Sequence, residues 1–244
     1  MNNTHKKVTF SIVTVSYNCK SMIEKTIQSV LQQDFTDKEY IIIDGGSTDG
    51  TLEIIKQYQH GITFWCSEPD GGIYQGMNKG IAQAQGEWIL FLNAGDIFAE
   101  KETLTKVFPF TIQKENDVLY GDIFIFKNNE KILKQALEPC NKQRMFFCHQ
   151  AAFVRTAIMK QHPFDTRFTM SADFYFFKFC YLTQKKFRHL PVVVSVYDRT
   201  GISNKYRIKG LKENIQVIKE LDKGWEKIKF LLKLYFVIYW NRIR

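Results

Sequence analysis

Oxygen-bearing side chains recur where short apolar runs end in the first hundred residues. Four such segments follow the runs in chain order: Ser16-Tyr-Asn18, Asp44, Glu68-Pro-Asp-Gly-Gly72 and Asn93-Ala-Gly-Asp96. Carboxylates, amides and hydroxyls orient polar ligands, and their oxygens also suit hard metal ions. If the fold brings these segments together, the predicted chemistry is recognition of a polar ligand.

The glycine-rich stretch Asp44–Gly50 does not match two familiar phosphate-binding patterns. It lacks GxxxxGK[ST], which defines a P-loop, and it lacks GxGxxG. Taken alone, its Asp, Ser and Gly residues are also those of an ordinary turn followed by a helix. Only the four segments acting together therefore indicate a site.

Strands and helices alternate through this half of the sequence, which places the polar segments. The predicted strands are Val8–Val15, Tyr40–Asp44, Ile62–Ser67 and Glu87–Leu92. The predicted helices run from Ser21 to about Gln33, over Thr51–Tyr58 and over Ile73–Gln85, the first opening on a capping box formed by Ser21 and Glu24. This alternation predicts an α/β fold with a mostly parallel sheet flanked by helices. Ligands in such sheets bind beyond the carboxyl ends of the strands, where all four segments would lie.

The second half of the sequence is less regular. Val118–Phe126 and Lys131–Gln135 flank a polar turn and predict a hairpin, and Ala151–Gln161 predicts a short strand followed by a helix. Ser171 is placed to begin a helix that ends near Leu182, and a strand follows over Val192–Tyr197. Two helical patterns then follow from Arg207, with a break near Gly224. We predict one α/β domain over residues 1–205 and a helical segment over residues 206–244.

Composition and charge restrict the class of protein. The 244 residues carry 34 basic and 25 acidic side chains, a net charge of +9 that favours anionic partners: a membrane surface, a nucleic acid or a phosphorylated small molecule. The five cysteines form no CxxC pair, which argues against a disulfide framework or a zinc ribbon. The first apolar run carries Ser, Thr and Tyr and predicts a strand rather than a signal peptide. We therefore expect a cytoplasmic protein.

The motifs, in this order and spacing, resemble those of the family 2 glycosyltransferases, which have the GT-A fold. The matching segments are Ser11–Asn18, Ser29–Gln33, Ile43–Thr51, Asp70–Gly80, Gly86–Asp96 and Met170–Phe174. They are most similar to bacterial enzymes that build capsule, exopolysaccharide and lipopolysaccharide, including colanic-acid-type transferases. The resemblance implies transfer of a sugar, with inversion, from a UDP-, GDP- or dTDP-linked donor to a saccharide or lipid-linked saccharide acceptor.

The resemblance also assigns residues to the donor. It implies that Asp44 accepts a hydrogen bond from the base and that Thr14, Ser16 and Asn18 line the same pocket. Further donor-side contacts would come from Asp70, Asn78, Lys79, Asn93, His149 and Arg199. The family often carries a second Asp after the first, and here that position is Gly45.

Two carboxylates would perform the chemistry. In the family a DxD-type motif follows the fourth strand, and the resemblance assigns its one remaining carboxylate, Asp96, to a Mg²⁺ or Mn²⁺ ion. Such an ion needs few protein ligands when diphosphate oxygens and waters complete its coordination. Asp173 matches the family's general base, which takes the proton of the acceptor hydroxyl. Its position also suits a second role, stabilisation of the first turn of a helix.

Two other classes of function remain open. A nucleotidyltransferase-like enzyme would normally carry a Gly-rich, basic phosphate loop after the first strand, where this chain has Ser16-Tyr-Asn-Cys19. A basic nucleic-acid-binding protein should gather cations and aromatic residues on one face. Here many cations are spread over helices, and we expect no nucleic-acid partner.

The C-terminal segment Gly224–Arg244 is both apolar and basic. Phe230–Trp240 contains one charged residue, Lys233, and no run reaches the 18 apolar residues of a membrane span. Cations and aromatic rings in this arrangement suit a helix that lies on an anionic leaflet. This interpretation predicts a peripheral protein on the inner face of the cell membrane. The alternative is a helix packed on the core of the domain.

Overall fold

The first half of the chain builds a parallel sheet. A computed structural model describes residues 8–127, 130–140, 145–197 and 206–243. The first four strands are β1 (Phe10–Ser16), β2 (Lys38–Asp44), β3 (Phe64–Ser67) and β4 (Trp88–Phe91). β1 lies between β2 and β4, β2 also pairs with β3, and all three pairings are parallel. The predicted parallel arrangement is therefore confirmed, and the carboxyl ends of these strands meet at one edge.

The second half extends this sheet with mixed pairings. Its strands are β5 (Ile97–Phe98), β6 (Val118–Lys127), β7 (Glu130–Lys134), β8 (Ala152–Arg155) and β9 (Phe187–Tyr197). The order across the sheet is β3-β2-β1-β4-β8-β6-β9-β5, and β7 pairs with β6 in the predicted hairpin. β8 is antiparallel to both β4 and β6, while β9 is parallel to β6. The whole is a mixed α/β sheet, as the resemblance implies.

Helices cover both faces of the sheet. They are α1 (Lys20–Leu31), α2 (Thr51–Gln57), α3 (Ile73–Gln83), α4 (Thr103–Thr111), α5 (Thr156–Gln161), α6 (Ala172–Leu182), α7 (Arg207–Leu221) and α8 (Gly224–Ile243). Alternate residues of β1 enter opposite apolar layers, because side chains of a strand point to opposite faces. Val13 and Val15 pack in the layer of α3, α6, α7 and α8, while Phe10 and Ile12 pack in that of α1 and α4.

Glycines bring α3 close to β1. A Cβ at Gly80 would lie 2.5 Å from Cγ1 of Val13, and one at Gly76 would lie 2.8 Å from Cγ1 of Val15. These residues lower helix propensity, yet no larger residue would fit without a shift. Their spacing of four places both on the face of α3 that contacts the sheet.

The start of α1 differs from the prediction. The capping box of Ser21 and Glu24 is wrong: the helix begins at Lys20, with Cys19 in the N-cap position and no side-chain cap of its own. Asp49, which precedes α2, accepts a hydrogen bond from the Lys20 amide at 3.0 Å instead. The Thr51 side chain accepts one from the Cys19 amide, also at 3.0 Å. Two residues distant in sequence thus bind the amides of the N-cap residue and of the first helical residue.

The C-terminal helices pack on the rest of the fold through one face. Phe230, Leu234 and Ile238 of α8 and Leu211 of α7 are buried in the same apolar layer as Phe174 of α6. The predicted break near Gly224 is present, since α7 ends at Leu221 and α8 starts at Gly224. Among the described residues, no helix combines the length and hydrophobicity needed to cross a bilayer. The division between residues 205 and 206 stays a prediction.

Candidate active site at the carboxyl edge of the sheet

A buried carboxylate organises the loop after β2. Asp44 Oδ1 accepts hydrogen bonds from the hydroxyls of Ser16 (2.9 Å) and Ser47 (2.6 Å). Its Oδ2 accepts from the amides of Gly46 (3.1 Å) and Ser47 (2.8 Å) and from the Ser67 hydroxyl (2.7 Å). Burial alone would raise the pKa of Asp44, but these bonds hold it below its ordinary value. The carboxylate therefore joins the ends of β1, β2 and β3.

Other residues predicted to line the base pocket occupy different surroundings. Thr14 is fully buried, and its hydroxyl donates to the Leu92 carbonyl at 2.7 Å and contacts the Tyr40 hydroxyl at 3.0 Å. Asn18 has a φ of 46° and accepts a hydrogen bond from the Thr48 amide at 2.9 Å. Asn18 thus lies in the loop layer above the strands, whereas Thr14 lies between them.

Asp70 lies beside the position where the family often carries a second aspartate. A Cβ at Gly45 would lie 3.2 Å from Asp70 Oδ2, and one at Gly76 would lie 3.1 Å from the same oxygen. Asp70 Oδ1 accepts a hydrogen bond from the Gly72 amide at 2.9 Å. The carboxylate of Asp70 thus occupies space that a side chain at position 45 would need.

Two predicted donor contacts on α3 already have protein partners. The Asn78 side chain donates to the Phe164 carbonyl at 2.8 Å and accepts from the Phe164 amide at 2.9 Å. Lys79 forms an ion pair with Glu68 at 2.8 Å. Asn78 therefore fixes the segment before α6, and Lys79 joins α3 to the end of β3. Arg199 lies outside the described residues.

A chain of four side chains crosses the site from β4 to α3. The Asn93 amide lies 3.4 Å from Nε2 of His149, and Nδ1 of His149 lies 3.2 Å from Asp173 Oδ2. The Tyr74 hydroxyl donates to Asp173 Oδ1 at 2.8 Å. Because the amide donates to Nε2, the proton of a neutral His149 ring lies on Nδ1 and points to Asp173. The fold thus brings together Asn93, His149 and Asp173, three of the predicted site residues.

The electrostatics of this chain keep Asp173 ionised. Burial alone would raise the pKa of Asp173, but hydrogen bonds from His149 and Tyr74 hold it below its ordinary value. Burial, together with the charge of Asp173, raises the pKa of Tyr74 well above its usual range. The side chains of His149 and Asp173 are 19% and 15% exposed, so a ligand atom can still reach them. An ionised, reachable carboxylate is able to accept a proton.

Asp96 lies close to this chain at the end of β4. It is buried at 6% exposure, its amide donates to the Asn93 carbonyl at 2.9 Å, and its carbonyl accepts from the Thr26 hydroxyl at 2.8 Å. Burial raises the pKa of the Cys148 thiol; Lys134 opposes this rise, and the charges of Asp96 and Asp173 add smaller contributions that raise it. The charges of Asp96 and Asp173 therefore both affect the pKa of the Cys148 thiol. No cluster of three or more His, Cys, Asp or Glu residues able to hold a metal occurs in the described part of the chain.

Sequence reasoning did not identify Tyr74. It precedes Asp173 by 99 residues, and only the packing of α3 against α6 brings them together. The available signal was the spacing of Tyr74 and Met77, which marks an inward face of α3. A tyrosine on such a face is usually interpreted as a core residue. The spacing alone therefore does not predict which group its hydroxyl binds.

Comparison with known proteins decides the family. The sequence model of Glycosyl transferase family 2 matches residues 11–190, which include the sheet edge and the Asp173 chain. The chain belongs to glycosyl transferase family 2. A PGL/p-HBAD biosynthesis glycosyltransferase of Mycobacterium bovis is 30% identical over 96% of this chain and 98% of the relative. The putative teichuronic acid biosynthesis glycosyltransferase TuaG of Bacillus subtilis is 36% identical over 46% of this chain and 45% of its own.

Solved structures show the same fold for this glycosyltransferase. S. aureus TarS 1–349 in complex with UDP-GlcNAc superposes with a TM-score of 0.71 at 21% identity, covering 93% of this chain and 71% of TarS 1–349. The mannosyltransferase PcManGT of Pyrobaculum calidifontis, in complex with GDP-Man and Mn²⁺, gives 0.68 at 15% identity, covering 94% of this chain and 69% of its own. The GT-A fold is confirmed, and neither the nucleotidyltransferase nor the nucleic-acid-binding alternative is supported.

The Tyr74 hydrogen bond gives a testable pH dependence of the glycosyltransferase. We expect Tyr74→Phe to raise the pKa of Asp173, because a bond that lowers it is lost. If ionised Asp173 is the active form, the acid limb of the pH profile of kcat/KM will move to higher pH. At neutral pH the loss should stay within about tenfold, because the pKa of Asp173 starts below its ordinary value and can rise while the carboxylate stays ionised.

Tyr181→Phe is the matched control for this measurement. Tyr181 lies at the far end of α6, where its ring packs 5.9 Å from that of Phe146. Its substitution should leave the acid limb unchanged. An acid limb that stays in place in Tyr74→Phe would show that this hydroxyl does not tune Asp173.

Proposed function

We propose that this glycosyltransferase moves a sugar, with inversion, from a nucleoside-diphosphate sugar to an acceptor hydroxyl. The observation that carries the proposal is the pair of contacts that the Asp173 carboxylate makes with His149 and Tyr74 at the carboxyl edge of the sheet. The acceptor would be a saccharide or lipid-linked saccharide of a bacterial surface polysaccharide or lipopolysaccharide. TuaG, named for teichuronic acid biosynthesis, supports this product class.

Asp173 would act as the general base. As the acceptor oxygen bonds to the anomeric carbon, its proton passes to the Asp173 carboxylate. The bond from the anomeric carbon to the phosphate oxygen breaks, and its electron pair leaves with the nucleoside diphosphate. Attack opposite the leaving group inverts the anomeric carbon. His149 and Asn93 would hold the carboxylate in the orientation that this transfer needs.

The loops beyond β1 and β2 would hold the nucleoside. The Asp44 carboxylate already accepts five hydrogen bonds from the protein. A base N–H would therefore share one of its oxygens or displace a serine donor. Ser16 and Asn18 would flank the nucleoside with Asp70 beyond them, whereas Thr14 would contribute by shaping the strands. The proposal covers UDP-, GDP- and dTDP-linked donors. Two structurally similar proteins bind UDP-GlcNAc and GDP-Man, respectively.

A Mg²⁺ or Mn²⁺ ion fits the charge of the site. The described residues at this edge include the carboxylates of Asp44, Asp70, Asp96 and Asp173, while Lys79 is paired with Glu68. An anionic diphosphate would be repelled there unless a cation accompanied it. Asp96 would hold the ion, with Asn93 beside it, since one carboxylate suffices when substrate phosphates supply other ligands. The ion, when bound, would neutralise the charge that develops on the leaving diphosphate.

A donor panel tests the proposed activity. The protein is incubated with UDP-, GDP- and dTDP-sugars, with Mg²⁺ or Mn²⁺ or with excess EDTA, and release of nucleoside diphosphate is followed. We expect slow release from one nucleotide class, dependent on the metal, and mass spectrometry of the glycosylated product identifies the sugar. Release of pyrophosphate, or no release from any donor, would contradict glycosyl transfer. Undiminished activity of Asp96→Ala in EDTA would remove the metal role.

The outer face of α8 supports binding of the protein to an anionic membrane. Binding would occur at the cytoplasmic face, where the enzyme would meet lipid-linked acceptors. Exposed apolar and aromatic side chains recur at spacings of three and four along this face: Trp225, Ile228, Leu232, Tyr235, Phe236, Tyr239 and Trp240. The opposite face, with Phe230, Leu234 and Ile238, is buried in the core. The exposed Lys229 and Lys233 flank the outer stripe. Cations beside exposed rings match an anionic lipid surface better than an apolar protein groove.

Substitution of the outer stripe tests membrane binding. We expect Phe236→Ser combined with Trp240→Ser to weaken binding to phosphatidylglycerol-containing liposomes about tenfold or more, because two rings no longer enter the interface. Binding of the unmodified protein should fall with added salt. Donor hydrolysis should be unchanged, since these side chains point away from the core.

Phe126→Ser is the control, because Phe126 is an aromatic residue of similar exposure (54%) on β6. It should bind liposomes like the unmodified protein. Undiminished binding of the double variant would contradict the membrane role of α8. Conversion of a dimer to a monomer by the same double variant would assign the stripe to a second copy of the chain.

A further inference from the structure

The three residues that directly precede α6, Thr169 to Ser171, are held by α7. Glu213 Oε1 accepts hydrogen bonds from the Thr169 amide (3.1 Å) and hydroxyl (2.7 Å). Its Oε2 accepts from the Met170 amide at 2.7 Å. One turn earlier in α7, the Gly210 carbonyl accepts from the Ser171 hydroxyl at 3.2 Å. Each residue from 169 to 171 thus has a hydrogen bond to α7.

This attachment lies next to the predicted base. Asp173 is in the first turn of α6, two residues after Ser171, which occupies the N-cap position without a side-chain cap of its own. The Ser171 hydroxyl, which usually satisfies a helix amide at this position, is bonded to α7 instead. The direction in which Asp173 leaves the helix therefore depends on contacts made outside α6.

The Glu213 carboxylate is built into the fold. Glu213 is 8% exposed and lies between the buried residues Leu211 and Ile215. Its charge is among those that raise the pKa of Tyr74, after burial and Asp173, which puts it near the same group of side chains. A buried carboxylate with three protein donors is costly to disturb, because removing it leaves the partly buried amides of Thr169 and Met170 without their acceptor.

We propose that Glu213 is a positioning residue for Asp173: it fixes Thr169 and Met170, and through them the first turn of α6. This inference rests on the proposed role of Asp173 as the base. The C-terminal segment then takes part in the chemistry, although none of its residues needs to touch the substrate. Displacement of a reacting group by about 1 Å is enough to slow a reaction on the order of 10²-fold.

Glu213→Gln, alone and combined with Asp173→Asn, tests the proposal. The amide can accept through one oxygen only, and its NH₂ group faces a backbone N–H. In the otherwise unmodified enzyme we expect kcat to fall on the order of 10- to 100-fold, with the donor KM within twofold. In the Asp173→Asn background we expect no further fall, because the group that Glu213 positions is already gone.

Two other variants keep the test decisive. Glu220→Gln makes the same chemical change on α7, where Glu220 bonds to Arg167 at 3.2 Å rather than to the 169–171 segment. It should leave kcat unchanged. If Glu213→Gln does not fold, Thr169→Val replaces it, because this variant removes only the hydrogen bond from the Thr169 hydroxyl to Glu213. Its kcat is measured with Asp173 present and with Asp173→Asn, and a fall is again expected only where Asp173 is present.

The outcomes separate this inference from the proposed function. An equal loss in both backgrounds would overturn the positioning role and leave Asp173 as the base. An unchanged kcat in Glu213→Gln would do the same. If Asp173→Asn alone keeps activity within tenfold of the unmodified enzyme, the proposed base fails, and the positioning role fails with it.

Discussion

Asp173→Asn will lower kcat on the order of 10²–10⁴-fold while leaving donor binding intact. The amide has nearly the shape of the carboxylate, but it cannot take up the proton of the acceptor hydroxyl, and a positioned general base contributes a factor of this size. The relevant measurements are single-turnover transfer rates and donor affinity by calorimetry. Donor affinity should persist because the loops proposed to hold the nucleoside contact Asp44 rather than Asp173.

Asp165→Asn serves as the matched control for this substitution. Asp165 lies in the segment before α6, and its carboxylate bonds to Arg167 at 2.6 Å rather than to the chain of His149 and Tyr74. Its rate should remain within twofold of the unmodified enzyme. A rate for Asp173→Asn within tenfold of the unmodified enzyme would exclude Asp173 as the base.

Lys178→Met will destabilise the protein by about 3–5 kcal/mol. Lys178 Nζ lies 2.8 Å from Asp222 Oδ1, and both side chains are 1% exposed. The substitution keeps the length of the side chain but leaves the Asp222 carboxylate buried without its cation. The free energy of unfolding, measured by urea denaturation, gives the loss directly.

The double variant separates the charge from the packing. In Lys178→Met combined with Asp222→Leu, neither charge is buried, so most of the lost stability should return. Lys212→Met removes an exposed lysine from α7 and should change stability by less than about 0.5 kcal/mol. If Lys178→Met lowers the free energy of unfolding by less than about 1 kcal/mol, the charges of Lys178 and Asp222 add nothing to the stability beyond the packing of their side chains.

The residues at the carboxyl edge of the sheet could be predicted because their positions depend on the local sequence pattern. Asp44 is the last residue of β2 and Asn93 lies two residues after β4, and parallel strands must deliver their carboxyl ends to one side. The sequence pattern that places these residues is therefore the same pattern that predicts the strands.

Contacts across the chain were not predictable in the same way. Asp49 replaces the expected capping box of α1 from 29 residues away, and Tyr74 reaches Asp173 from another helix. Two elements were also missed, β5 and α4. β5 has only two residues, and α4 contains Pro109, which normally argues against a helix.

The C-terminal helices show why an apolar pattern can be ambiguous. Leu234 and Phe236 of α8 are both large and apolar, yet the first is 3% exposed and the second 64%. Because α8 is apolar on opposite faces, the sequence favoured a membrane helix and a core helix about equally. The structure establishes the core contact of one face, and the outer face remains the basis of the membrane proposal.

The position of β4 in the sheet has a consequence for synthesis on the ribosome. β4 pairs with β1 on one side, but its other neighbour is β8, which begins 61 residues after β4 ends. Until Ala152–Arg155 has emerged, the apolar strand Trp88–Phe91 is an open edge, and such edges recruit other chains. The nascent first half therefore exposes an unpaired strand edge of the kind from which aggregation starts.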